Sequence, residues 1–413
     1  MANKDDGIYS KLTKGSEKLR KDIFDSIIRP VIRPRSLTDL GKTALKNLPA
    51  NISMVQNFMK VVNWKEVQAE VLAGLNNKVV IVGQPNTGKS TLFNKIVGQR
   101  LSAMSPEAGT TKTLIQTDFG PFTLVDTPGH LPDVAESGME QASVIVFLLD
   151  ASREFQEQDR QLYASIKKLD KPTVIAVNKI DTLQGKSAAD FYATEVALFL
   201  EAYGVIPVSA KTGENVAEEL IPAIIDASPE AALAVGRELP KFRREAAQKL
   251  IRTSTLLSLA AGLEPIPFID IPVLLGIQIR LVLRIGALYG ERLDSNDAML
   301  HARELIATMA GGLAMRLLAE QAAKAVPFGG DFVAGAIAGA ATWSIGEVAL
   351  EYYNDGKKFS VRRLQQLYSN FYHRFRKEKI ADQLRDEAEK LRRRRSARLA
   401  FPPDEEKKVE EKA

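Results

Sequence analysis

The sequence contains no cysteine, which excludes disulfide bonds, thiol catalysis and a cysteine-based zinc ribbon. Histidine is nearly absent, with three residues in 413, and this argues against a histidine-rich zinc site. Long uncharged apolar runs are missing too. The longest charge-free stretch, Phe332–Gly346, is shorter than the ~20 residues an ordinary spanning helix needs. The opening residues Met1-Ala-Asn-Lys-Asp-Asp6 lack the apolar core of a secretory signal. A protein that stays where it is made, in a cytoplasm or an organelle stroma, is therefore expected. What is present is 45% hydrophobic residues, enough for packed cores, on a chain long enough for two or three domains.

The net charge of +5 is modest but unevenly spread, with basic residues gathered at Lys11–Arg35, Lys241–Arg252 and Arg362–Arg398. Such ends suggest contact with an anionic surface, phospholipid or nucleic acid, against the alternative of solvated helix faces. Residues 1–77 read as amphipathic helices broken at Pro30, Pro34 and Pro49. From 78 to 226, short β-branched runs alternate with helical stretches, the pattern of a three-layer α/β domain with a mostly parallel sheet. Its expected strands are Val79–Val82, Leu114–Asp118, Thr123–Val125, Val144–Leu149, Thr173–Val177 and Val205–Val208. Residues 227–249 read as a linker, over Ala227–Pro240, and a basic helix. An all-α, Ala/Gly-rich apolar domain is expected over 250–356, and a basic helix with a charged tail over 357–413.

The apolar region carries a degenerate repeat, Pro265-Ile-Pro-Phe-Ile-Asp270 against Val326-Pro-Phe-Gly-Gly-Asp331. Two helical hairpins, each turning at Pro-Phe and restarting at an aspartate cap, would account for it. Arg280, Arg284 and Glu347 interrupt the apolar stretches, so a compact bundle, at most shallowly inserted in lipid, is favoured over true spans. The aromatic-basic run Phe371-Tyr-His-Arg-Phe375, followed by Arg392–Arg395 and Arg398, is a candidate lipid-facing segment. A surface helix or coiled-coil partner is the alternative for it.

Four separated signatures converge on one ligand. The strand Val79–Val82 runs into Gly83, Gln84, Pro85, Asn86, Thr87, Gly88, Lys89 and Ser90, then into a helix opening at Thr91. Strand, GxxxxGKS and helix are the context a phosphate loop requires, with backbone amides and a helix N-terminus facing the phosphates. Lys89 is expected to reach the β- and γ-phosphates, and the Ser90 hydroxyl to ligate magnesium. Asp126, in Asp126-Thr-Pro-Gly129, would hold magnesium through water, and the Gly129 amide would sense the γ-phosphate. Between these lies Glu107–Lys112, a candidate switch segment in which Thr111, rather than Thr110, lends a hydroxyl to magnesium.

Asn178-Lys-Ile-Asp181 follows another buried strand. A carboxylate at Asp181 can accept both the ring N1–H and the 2-amino proton of guanine, an arrangement adenine does not offer. Asn178 would brace the loop and contact the base edge, and the stem of Lys179 would pack over the base. In Ser209-Ala210-Lys211 the Ala210 amide can donate to guanine O6. GTP and GDP, with magnesium, are the ligands these residue types call for.

With these motifs in place, residues 78–226 resemble the translation-factor-related bacterial GTPases of the Era, EngA and TrmE group. The Gly-Thr-Thr switch, the Asp-Thr-Pro-Gly step and the Pro-Asn of the phosphate loop carry the resemblance. It implies GTP hydrolysis. In several members the phosphate-loop asparagine helps hold potassium, which makes Asn86 a candidate potassium ligand. One departure is His130, where the group carries an apolar residue. Elongation-factor-like GTPases use a histidine there to position the attacking water, so His130 is either catalytic or an exposed loop residue. The C-terminal half is more loosely similar to the YcjF-type helical domain of unknown function.

Two functional classes follow. One is a GTP-hydrolysing switch at a membrane surface, docked to anionic lipid or a membrane protein, with self-association through the G domain or the helical domain. The other is an RNA- or ribosome-associated factor, against which stands the absence of a basic Gly-x-x-Gly loop after the G domain. A GTP-binding scaffold that does not cycle is a third reading, which measurable hydrolysis would remove.

Overall fold

The computed structural model of the protein describes residues 64–74, 77–98, 116–119, 121–125, 139–140, 142–202, 204–262, 271–293, 300–302, 305–306, 330–380, 382–384 and 386. These fall into two compact units. One holds the described residues within 68–250 and 283–299, the other those within 251–282 and from 300 onward, with 64–67.

The first unit is built on a six-stranded sheet of order β2-β3-β1-β4-β5-β6. Its strands are β1 (Lys78–Val82), β2 (Gln116–Phe119), β3 (Phe122–Val125), β4 (Ala142–Asp150), β5 (Thr173–Asn178) and β6 (Ile206–Pro207). All neighbouring pairs are parallel except β2 with β3, where Phe119 lies opposite Phe122. The continuous apolar runs of β1 and β4 explain why these strands take the centre. A strand covered on both faces has no solvent side to supply alternating polar residues. Val80, Val82, Ile145, Phe147, Leu149, Ile175 and Val177 pack into one core with Tyr163 and Ile166. Because β1, β4 and β5 run the same way, their C-terminal ends emerge along one edge, the edge where open α/β sheets place ligands.

Helices follow the strands: α1 (Trp64–Gly74) before β1, then α2 (Lys89–Val97), α3 (Glu157–Lys168), α4 (Lys186–Phe199) and α5 (Ile221–Ala227). The chain then departs from the expected linker. Residues 229–238 form a helix, α6 (Pro229–Glu238), with Ala231–Gly236 buried and the helix lying against β1 and β4. The reason is local. The Ser228 hydroxyl accepts from the Ala231 amide at 3.0 Å, and Pro229 sits in the first turn, where its missing N–H breaks no helical bond. Pro229 therefore starts a helix instead of interrupting one.

The second unit takes in the end of α7 (Arg243–Ala261), most of α8 (Ile271–Leu288), α9 (Gly330–Asn354) and α10 (Val361–Lys377). Small residues let α7 and α9 approach closely. A Cβ added at Gly262 would lie 2.8 Å from the Gly335 Cα. Helix α8 begins at Ile271, and α9 begins at Gly330 and includes Asp331 instead of starting after it. The turns at 265–270 and 326–329 lie outside the described residues. Among the described residues no helix is long and apolar enough to cross a membrane.

The aromatic-basic run is arranged differently from the lipid-facing segment expected of it. Tyr372 and Phe375 are buried, and Trp343 of α9 meets the rings of Phe371 and Phe375 at 5.8 and 5.6 Å. Leu364, Tyr368, Tyr372 and Phe375 recur at helical spacing and are buried, so α10 turns its apolar stripe toward α9, while Val361 at its start is exposed. The tail arginines Arg392–Arg395 and Arg398, like residues 1–63, lie outside the described residues.

Candidate nucleotide-binding site

The loop Gly83–Gly88 leaves the buried end of β1 and turns into α2. Gly83 must be glycine, since a Cβ there would lie 2.2 Å from the Leu148 carbonyl oxygen of β4. Asn86 (φ 65°) and Gly88 (φ 91°) are both left-handed, which wraps the loop ahead of the helix. Pro85 and Asn86 are exposed, while Gln84 is half-buried and its side-chain amide donates to the Gln158 carbonyl at 3.1 Å. Thr87 is buried and its hydroxyl donates back to the Gln84 carbonyl at 2.9 Å. Lys89 is buried with its Nζ on the Gly83 and Gln84 carbonyls, at 2.9 and 3.0 Å, so a cation is held inside the loop. Ser90 and Thr91 are exposed in the first turn of α2.

The loop after β5 is fastened to this one by a single side chain. Asn178, 2% exposed, donates from Nδ2 to the Thr87 carbonyl at 2.8 Å and accepts on Oδ1 from the Ala210 amide at 2.8 Å. One buried amide thus joins the Gly83–Ser90, Asn178–Asp181 and Ser209–Lys211 segments. The Ala210 N–H is committed to Asn178, so the guanine O6 contact expected of it competes with that bond. Asp181 accepts from the Ser209 hydroxyl at 2.7 Å, and the exposed Lys211 ammonium stands 3.9 Å from it. Ser209 therefore orients the carboxylate, a role its sequence position did not reveal. Lys95 of α2 adds a second tie by donating to the Thr212 carbonyl at 3.0 Å.

Lys179, left-handed at φ 68°, carries its ammonium to Asp150 at 2.6 Å. Asp150 also accepts from the Ser152 amide and hydroxyl, at 2.8 and 2.6 Å. Burial pushes its carboxyl up, but the hydrogen bonds from Lys179 and Ser152 outweigh this and hold it below the ordinary 3.8. Asp150 belongs to none of the four sequence signatures. Thr111, Asp126, Gly129 and His130 lie outside the described residues.

A family model described as "50S ribosome-binding GTPase" matches residues 78–179, and one described as "Domain of unknown function (DUF697)" matches residues 228–377. The chain joins a GTPase domain of the first family to a DUF697 domain. GTPase Era of Aquifex aeolicus is 32% identical over 171 residues, which cover 37% of this chain and 56% of that protein. GTPase Era of Pasteurella multocida is 36% identical over 34% of this chain and 50% of its own length. GTPase Der of Alkaliphilus oremlandii is 33% identical over 37% of each. The chain thus spans about half the length, or less, of these curated relatives. A crystal structure of Era in complex with MgGDPNP and nucleotides 1506-1542 of 16S ribosomal RNA aligns with 44% of this chain and 67% of that chain, at 27% identity and a TM-score of 0.31.

The GTPase domain's described site residues stand together at the ends of β1, β4 and β5. The DUF697 match begins at Ser228, the cap of α6, and so takes in a helix that packs on the GTPase sheet.

Proposed function

We propose that the protein binds GTP and GDP with magnesium at this site and hydrolyses GTP to GDP and phosphate. In this reading the nucleotide state governs contact with an anionic membrane surface. The observation that carries the nucleotide reading is the Asn178 brace. A side chain that ties a phosphate loop to two base-recognition segments makes phosphate binding and base binding one event.

In this mechanism the amides of Gly83–Gly88 and the start of α2 cradle the phosphates, and Lys89 neutralises their charge. Asp181, steadied by Ser209, selects guanine. The donors suit magnesium, a hard cation that takes oxygen ligands. The Ser90 hydroxyl is exposed in the first turn of α2, and Asp126 and Thr111 would complete the set. Bound magnesium would supply charge neutralisation on the β- and γ-phosphates. The chain's own contribution to hydrolysis is positioning, with Gly129 donating to the γ-phosphate and His130 orienting the attacking water. Exposed Asn86, held left-handed, is the candidate ligand for an accelerating potassium ion.

The membrane part is supported by α10. Arg362, Arg363, Arg374, Arg376 and Lys377 are all exposed, and the helix contains no acidic residue. With the apolar stripe covered, the contact is electrostatic, worth about 1 kcal/mol per cation near an anionic leaflet and weakened by salt. Two assays test the proposal. Phosphate release from GTP should be measurable and vanish in Lys89→Ala; turnover retained in that variant would remove the site assignment. Flotation with anionic liposomes should depend on nucleotide and fall as salt is raised. Absence of flotation in every nucleotide state, with retardation of RNA instead, would replace the membrane reading by the RNA one.

A further inference from the structure

We infer that Asp150 is a positioning residue for the nucleotide base. It fixes Lys179 in the orientation that makes its stem a wall of the base site, and so sets nucleotide affinity without touching the ligand. The inference rests on the guanine-nucleotide reading above.

The sheet creates the juxtaposition. In the parallel pairing of β4 and β5, Asp150 is the register partner of Asn178, and the Ala151 amide donates to the Asn178 carbonyl at 2.8 Å. The last residue of β4 is thus locked beside the first residue of the base-recognition loop. Both Asp150 oxygens are engaged: Oδ2 takes the Lys179 ammonium, and Oδ1 takes the amide and hydroxyl of Ser152. The turn carrying the carboxylate is itself braced. Arg153 makes two bonds of 2.9 Å to Asp159, which is 1% exposed, and the Tyr192 hydroxyl donates to the Arg153 carbonyl at 2.7 Å. Asp150 therefore presents a fixed acceptor.

The asymmetry of the pair reveals its purpose. The Asp150 side chain is 5% exposed, whereas that of Lys179 is 32% exposed. The Lys179 end is open to solvent, which screens the attraction and limits what the pair adds to stability. A lysine left to solvent would sample many rotamers, and ordering it would then be charged against nucleotide binding. Pairing with Asp150 orders it beforehand, in a residue whose left-handed backbone already aims it. The charge-assisted bond is directional enough to hold that arrangement.

The test is a double-mutant cycle on the full chain, reading the dissociation constant and off-rate of a fluorescent GDP. Asp150→Asn, which keeps the size but removes the charge, should weaken GDP about tenfold, chiefly through a faster off-rate. In a Lys179→Ala background the same change should have no further effect, because the contact it acts through is gone. Ser152→Ala, which keeps the charge and loosens the carboxylate, should give a smaller loss that Lys179→Ala also abolishes. It serves as the second arm if Asp150→Asn fails to fold. Additive losses in the cycle, or GDP affinity within twofold of the parent in Asp150→Asn and Ser152→Ala alike, would overturn the inference. Failure of the parent protein to bind GDP would instead overturn the nucleotide reading.

Discussion

Replacing Asn178 by alanine should do more than remove one contact to a nucleotide. The side chain satisfies the Thr87 carbonyl and the Ala210 amide, in residues that are 0% and 2% exposed. An orphaned buried polar group costs about 1–3 kcal/mol, so the two together cost about 2–6 kcal/mol. Water entering the vacated space would bring the figure toward the lower end, about 2 kcal/mol. That corresponds to a roughly 30-fold increase in local opening at Ala210, read as faster amide hydrogen exchange in the nucleotide-free protein. Asn178→Asp separates the two bonds. It retains an acceptor for the Ala210 amide but sets an oxygen against the Thr87 carbonyl, so the phosphate loop should loosen while Ala210 stays protected. Global unfolding is a poorer assay, because a chain of two units need not unfold in one step. If Ala210 exchange and GDP affinity in Asn178→Ala both stay within twofold of the parent, the brace does not unite the loops.

Other changes have sharp expectations. Gly83→Ala forces a Cβ to 2.2 Å from a backbone carbonyl of the central strand, so the loop must shift. GDP binding should fall at least tenfold by calorimetry. In the helical unit, Gly262→Ala drives a methyl against the Gly335 backbone and should destabilise that unit by about 1–3 kcal/mol. The fluorescence of Trp343, buried on α9, would report it during urea unfolding. The Asp150 carboxyl titrates below its ordinary 3.8 in the folded protein, so its stabilising contribution is present above about pH 4 and lost as pH falls through the lower folded value. Asp150→Asn should therefore flatten the acid limb of the stability profile of the GTPase unit, followed by far-ultraviolet circular dichroism.

The sheet was legible because its central strands β1, β4 and β5 are nearly unbroken apolar runs rich in β-branched residues. Each expected strand was found within a few residues of its place, and the phosphate loop could be located from the one before it. The motif positions of Lys89, Asn178 and Asp181 were equally legible, and the fold brings all three to one edge of the sheet. What escaped depends on register and packing. Asp150 lies far from Lys179 in sequence, and only the β4–β5 pairing makes them neighbours. Ser209 carries no role in the tripeptide Ser209-Ala210-Lys211 by sequence, and only the fold sets its hydroxyl on Asp181. Residues 229–238 passed for a linker because Pro229 and a run of small residues suggest breakage. The same smallness is what lets the helix seat tightly, a Cβ on Gly236 lying 2.5 Å from that of Ala246. For the aromatic-basic run, the 3.6-residue period of α10 shows an apolar face but not that α9 packs against it.

Guanine selectivity at this site is assigned to Asp181, and calorimetric titration of GDP, XDP and ADP into the parent protein and Asp181→Asn measures it. The parent should prefer GDP to ADP by at least two orders of magnitude, since mismatched buried hydrogen-bonding groups cost roughly that much. Asp181→Asn should transfer the preference to XDP. Equal affinity for guanine and adenine nucleotides in the parent, or a variant that still prefers GDP to XDP, would contradict it.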